Sequence, residues 1–283
     1  MPYSAEISRN NPTLFVFLLD QSGSMADTFG AGEARLRKAD ALADVANRTL
    51  HDLVIRCTKS EEIRNYYEIA VLGYGASSDT PVTSSLGGPG GAGSVAKISE
   101  VAEHPVRLED RTKKLPDGAG GVVEQKVRFP IWVEPQSGNG TPMCAALEQA
   151  RNIVNDWLKG HPNCFPPVIL HITDGESGDG DPTAMGQAIA TLKSTDGAVL
   201  LFNCHLSSQR AASVEYPSSP EALPNEFAKT LFTMSSVIPD PFRRSAAQSA
   251  INLNEGARGF VFNADVAALV QFFDIGTRPA NLR

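Results

Sequence analysis

Apolar residues along the chain follow two alternating rhythms. Uninterrupted runs at Thr13 to Leu19, Tyr67 to Gly75, Val168 to Thr173, Val199 to Leu206 and Gly259 to Asn263 read as strands buried on both faces. Such strands fill the middle of a parallel sheet. Between them, apolar positions recur every three or four residues. Ala39, Leu42, Ala43, Ala46, Leu50 and Leu53 predict a helix over 33–59 with one stripe on the sheet. Pro142, followed by Ala146, Leu147, Ala150, Val154 and Trp157, predicts a second helix that Gly160 ends. Shorter helices are predicted over 183–193, within 217–234, within 235–249 and over 264–275. This alternation specifies an α/β fold: a doubly wound, mainly parallel central sheet with helices on both faces.

One segment breaks the rhythm. Residues 76–135 exceed an ordinary connection between strands. The segment opens with a Ser/Gly-rich stretch over 84–93, read as a mobile loop, in which Gly88, Gly90 and Gly93 fit a dinucleotide-binding spacing. That spacing needs a strand before it and a helix after it, and here the preceding residues are rich in Ser and Thr. Val106 to Leu115 and Val122 to Val133 then flank Pro116-Asp117-Gly118, a hairpin signal. The mixed charges of its arms suit a solvated face that guards a sheet edge, or an arm that binds a partner. The 283 residues, 42% of them hydrophobic, are expected to form one domain, with a core at about 13–75 and 136–275 and an insertion at 76–135.

The candidate chemistry sits where the first strand ends, at Asp20-Gln21-Ser22-Gly23-Ser24. Ligands of open α/β sheets bind beyond the carboxyl ends of strands. Oxygen-bearing side chains at spacing two suit a hard cation such as Mg²⁺. Further donors are available at Asn139-Gly140-Thr141-Pro142, which opens a helix, and at Asp174-Gly175-Glu176, which ends another apolar strand. Asp-x-Ser-x-Ser, a distant Gly-Thr-Pro and a strand ending in Thr-Asp-Gly together resemble the von Willebrand factor A (VWA) domain and its metal-ion-dependent adhesion site.

The resemblance implies that Ser22, Ser24 and Thr141 bind Mg²⁺ or Mn²⁺ directly, with Ca²⁺ less suited, while Asp20 and Asp174 act mainly through waters. It also implies that an Asp or Glu carboxylate from a partner protein fills the open position, and that one edge strand is antiparallel, for which Val127 to Val133 is the candidate. Thr141 would also cap the helix it opens. The local alternative is that both aspartates cap turns and the hydroxyls satisfy backbone donors.

Charge narrows the partner class. A net charge of −7 and a pI near 5.3 argue against nucleic acid or an anionic membrane. The opening residues lack a basic leader pattern and the first apolar run is too short to span a bilayer, so the expected location is cytoplasmic. Cys57, Cys144, Cys164 and Cys204 lack metal or disulfide spacing and read as reduced thiols. Within the family, the chain looks most similar to bacterial intracellular VWA proteins associated with tellurite resistance and stress response, which act as adaptors. The rival reading is a metal-dependent phosphoester hydrolase. Ser22 stands where haloacid-dehalogenase-type phosphatases carry their general-acid aspartate, and Glu176 is the only plausible base. Asp179 and Asp181 read as solvated loop residues, and His205 as a structural histidine. No motif specifies the partner's identity or the oligomeric state.

Overall fold

A computed structural model describes residues 2–29, 36–86, 95–116, 122–207 and 212–279. Its strands are β1 (Thr13–Asp20), β2 (Tyr67–Tyr74), β3 (Val82–Ser84), β4 (Ala96–Lys97), β5 (Arg107–Pro116), β6 (Val122–Ile131), β7 (Val168–Thr173), β8 (Leu200–Leu206), β9 (Val214–Glu215) and β10 (Phe260–Ala264), beside two minor two-stranded turns. The helices are α1 (Lys38–Cys57), α2 (Ile98–Glu103), α3 (Met143–Gly160), α4 (Thr183–Thr191), α5 (Glu226–Met234), α6 (Asp240–Gln248) and α7 (Val266–Gly276).

The central sheet has eight strands in the order β9-β10-β8-β7-β1-β2-β3, with β4 also on β2. Every pairing from β10 through β2 is parallel. The two-sided burial expected of apolar runs is complete in β1. Phe15, Phe17 and Leu19 enter one core beneath α1, α6 and α7, and Leu14, Val16 and Leu18 enter the other beneath α3, α4 and α5. Each such side chain contributes roughly 1.5–3 kcal/mol on burial, before the entropy of ordering is counted.

From β1 the chain order proceeds to β2 on one side and to β7, β8 and β10 on the other. The crevice between the carboxyl ends of β1 and β7 is therefore the topological switch point, where such sheets bind ligands. Register pairs Leu19 with Ile172, which brings Asp20 and Asp174 to the two lips of that crevice.

The antiparallel edge lies elsewhere than expected. Val127 to Val133 does not join the central sheet, because β6 pairs with β5 in a two-stranded sheet of its own. β3 and β4 make the antiparallel edge on β2, and β9 makes a second one on β10. Charges along both hairpin arms leave no continuous apolar face to dock under a helix. Strands of two or three residues suffice at an edge that needs only one buried side, as Val82 supplies.

The hairpin instead lies along α1. The Phe129 ring sits 5.1 Å from His51, and Arg111 covers the Phe129 ring at 4.0 Å while pairing with Asp44 at 2.7 Å. These contacts hold the arms of the hairpin against the middle of α1, on either side of Asn47. At the hairpin's base, the buried Asn47 accepts the amides of Trp132 and Val133 at 2.8 and 3.0 Å and donates to the Val133 carbonyl at 2.8 Å. The first predicted helix is described from Lys38 onward. The glycine triad at 88–93 lies outside the described residues.

Candidate metal centre

Asp20 ends β1 fully buried, with both carboxylate oxygens engaged. Its Oδ1 accepts the Ser22 amide at 2.8 Å, and its Oδ2 accepts the Thr173 hydroxyl at 2.7 Å. The first bond folds the chain into the tight turn that aspartate favours two residues before an amide. The second clasps β1 to β7. Burial is the largest influence on this carboxyl and, against the Ser22 and Thr173 hydrogen bonds, pushes its pKa up to about 6.

Beyond the turn, Ser22 and Ser24 meet Asp174. The two hydroxyl oxygens are 3.1 Å apart, Ser24 donates to Asp174 Oδ1 at 2.7 Å, and Ser22 Oγ lies 3.5 Å from that same oxygen. Neighbouring ligands on an octahedral Mg²⁺ stand about 2.9 Å apart, given metal–oxygen distances of roughly 2.0–2.1 Å. Two of the three spacings lie near that value and the third is wider, and the chemistry of the three oxygens suits a hard cation. The resemblance gave Asp174 an indirect role, yet its Oδ1 stands among the hydroxyls. Asp174 Oδ2 is met by the Lys38 ammonium at 2.6 Å and has no other partner among the described residues. Sequence reasoning missed Lys38.

Thr141 is drawn in by its main chain. The Gly23 amide donates to Asn139 O at 2.7 Å, Gly138 N to Gln21 O at 2.8 Å, Asn139 N to Gly75 O at 2.7 Å, and Gly178 N to Thr141 O at 2.8 Å. Gly75 holds φ at +90°, and a Cβ there would stand 2.3 Å from Gly140 O, so only glycine lets these loops interlock. Thr141 is not the helix cap that its position predicted. Pro142 occupies the N-cap of α3 without a side-chain bond. The orphan amides of Cys144 and Ala145 are capped instead by Asp179, at 2.9 and 3.0 Å, which also accepts the Ser177 hydroxyl at 2.9 Å. A residue read as solvated therefore joins the Thr141 segment to the Asp174 segment.

A cleft of about 500 Å³ opens beside the site, lined among others by Ser24, Lys38, Asp174, Glu176, His205 and Phe227. His205 behaves structurally. It stacks on Phe262 at 4.4 Å, accepts the Asn263 amide at 3.4 Å, and is held down to about pKa 4, chiefly by burial.

Behind the centre runs a polar chain that the sequence reading did not anticipate. Tyr74 donates to His171 Nε2 at 2.7 Å, His171 Nδ1 donates to Asn203 Oδ1 at 2.8 Å, and Asn203 Nδ2 donates to Ser235 Oγ at 2.8 Å. Both ring nitrogens are engaged by a neutral imidazole, and burial holds His171 at about pKa 4. The available signal was a histidine and an asparagine inside apolar runs, at positions that register pairs across β7 and β8.

Among the described residues no group of three or more His, Cys, Asp or Glu side chains could hold a metal, so a cation here would rest largely on hydroxyls. No helix among the described residues is long and apolar enough to cross a membrane.

No family model and no curated protein matches the chain. Among solved structures, the vWF domain of the type V pili tip protein Mfa5 from Porphyromonas gingivalis is similar at 15% identity, covering 59% of this chain and 39% of that one, with a TM-score of 0.31. The PilB minor pilin of Streptococcus sanguinis shares 12% identity over 58% of this chain and 30% of that one, at 0.31. The pilus adhesin RrgA of Streptococcus pneumoniae shares 15% over 61% and 21%, at 0.28. The chain thus spans well under half the length of each. At such scores the matches say nothing about this chain's chemistry.

Proposed function

We propose that this chain is a VWA-like, non-enzymatic binding module. In this reading the crevice between β1 and β7 holds Mg²⁺ or Mn²⁺ through Ser22, Ser24 and Thr141. Asp20 stands behind them, Asp174 stands beside the serine hydroxyls, and a partner protein supplies an Asp or Glu carboxylate. The observation that carries the reading is the meeting of Ser22 and Ser24 oxygens from one lip of the switch-point crevice with an Asp174 oxygen from the other, with Thr141 tied alongside through its main chain. When bound, the cation supplies an electrophilic centre for an oxygen anion.

The chain's own residues do the rest. Asp20 spends its oxygens on Ser22 N and Thr173, so it shapes the loop and contributes charge from behind. The hydroxyls are neutral and leave the cation under-compensated. An adaptor role in a cytoplasmic bacterial stress-response or tellurite-resistance assembly is the setting that the VWA resemblance implies.

The test is capture of partners from the native cell extract with Mg²⁺ and with EDTA, identified by mass spectrometry. A partner retained only with metal, and lost in Ser24→Ala and Thr141→Ala, supports the reading. Capture unaffected by EDTA and by both variants refutes it. So does metal-dependent turnover of a generic phosphate ester that Asp20→Ala abolishes.

A further inference from the structure

The residue that the adhesion-site pattern leaves unassigned is Lys38. It is the first residue of α1, where a lysine would ordinarily reach solvent, yet its side chain is only 3% exposed and its ammonium lies 2.6 Å from Asp174 Oδ2. That carboxylate side chain is fully buried, and its other oxygen faces the serine hydroxyls. Lys38 also lines the cleft that Ser24 and Asp174 line, so a group entering there meets both.

We propose that Lys38 is a specificity-determining residue, the fixed positive charge that makes the loaded centre take an anion. The inference rests on the metal-binding reading above. Among the buried groups, Asp20 and Asp174 bring two negative charges and Lys38 returns one; the other carboxylates lining the cleft, Asp27 and Glu176, are exposed and screened by solvent. A divalent cation then leaves the centre with one excess positive charge in a partly desolvated crevice, and a single carboxylate brings the sum to zero. Without Lys38 the two aspartates alone neutralise the cation, and an incoming carboxylate would create net negative charge. Lys38 thus opposes the cation and favours the ligand. It trades metal affinity for anion affinity, and the preferred ligand is a monoanionic carboxylate.

This sign reversal separates the proposal from a merely structural role, because damage to the fold weakens both affinities together. The experiment titrates the purified chain with Mn²⁺ calorimetrically, then titrates the Mn²⁺-saturated protein with a short peptide carrying one glutamate. Lys38→Met should bind Mn²⁺ about ten-fold more tightly or better and the peptide about ten-fold more weakly or worse, as removal of one nearby charge in a crevice of intermediate dielectric requires. Lys38→Arg should keep both affinities near the wild-type values. Lys38→Gln is the second neutral variant should methionine prevent folding.

A wild type that binds Mn²⁺, combined with neutral variants that weaken both affinities or change neither, overturns the role of Lys38 and leaves the metal centre standing. A wild type that binds Mn²⁺ but not the peptide also overturns it. A wild type that binds no Mn²⁺ defeats the metal reading and this inference with it.

Discussion

Asp179 is the most economical place to test how the centre is assembled. Its carboxylate caps the second and third amides of α3 and holds the Ser177 hydroxyl, so one side chain joins the segment bearing Thr141 to the loop after Asp174. Asp179→Ala removes an N-terminal cap, which costs about 1 kcal/mol, and a negative charge at the positive end of a helix, worth roughly 0.3–1 kcal/mol. The bonds are exposed, so water replaces part of what is lost, and the sum stays at about 1–2 kcal/mol. For a chain of this size that is a fall in Tm of a few degrees, on the order of 2–4 °C per kcal/mol. Asp179→Asn keeps an acceptor and should lose about half as much.

The same substitution should loosen the Thr141 loop and weaken Mn²⁺ binding, although Asp179 is not assigned as a ligand. Urea denaturation in EDTA reads the first effect and Mn²⁺ titration the second. A variant within about 0.5 kcal/mol of wild type, with unchanged Mn²⁺ affinity, would refute the clasp, since that is the scatter of ordinary surface substitutions.

Two further predictions concern buried polar groups. Asn47→Leu should destabilise by roughly 3–5 kcal/mol in urea denaturation, because it strands two amides and a carbonyl that each cost about 1–3 kcal/mol unpaired, and a loss under 1 kcal/mol would show the insertion to be held otherwise. In metal-free protein, His171 and Asp20 should oppose one another between about pH 6.5 and 4. His171, depressed from 6.5 to about 4, gives stability that is present above 6.5 and lost as pH falls, up to about 3 kcal/mol. Asp20, raised from 3.8 to about 6, costs stability while ionised and returns it as pH falls through 6. Asp20→Asn should therefore lose stability on acidification more steeply than wild type, and identical pH profiles would show that this opposition is absent.

The parallel core was legible because a strand buried on both faces must be apolar throughout, and β1, β7 and β8 declare this without ambiguity. Asp20, Ser22, Ser24 and Asp174 were legible because chain order and strand context put them at one edge. The edge strand was not, since three residues of β3 carry no period, and the hairpin displayed the stronger strand signal. Asp179 was misread because an aspartate in a Gly-rich turn looks the same whether or not it reaches a helix 35 residues earlier in the chain. Lys38 was invisible for a related reason. Only the fold supplies the buried carboxylate that lets a lysine leave water.

Calorimetric titration of Mn²⁺ into wild-type protein and into Ser24→Ala tests the central claim most directly. One equivalent bound by the wild type, weakened at least about ten-fold by loss of a single ligand hydroxyl, a difference of about 1.4 kcal/mol, is the predicted result. Equal affinity in the two proteins, or no heat from either at millimolar Mn²⁺, would contradict it.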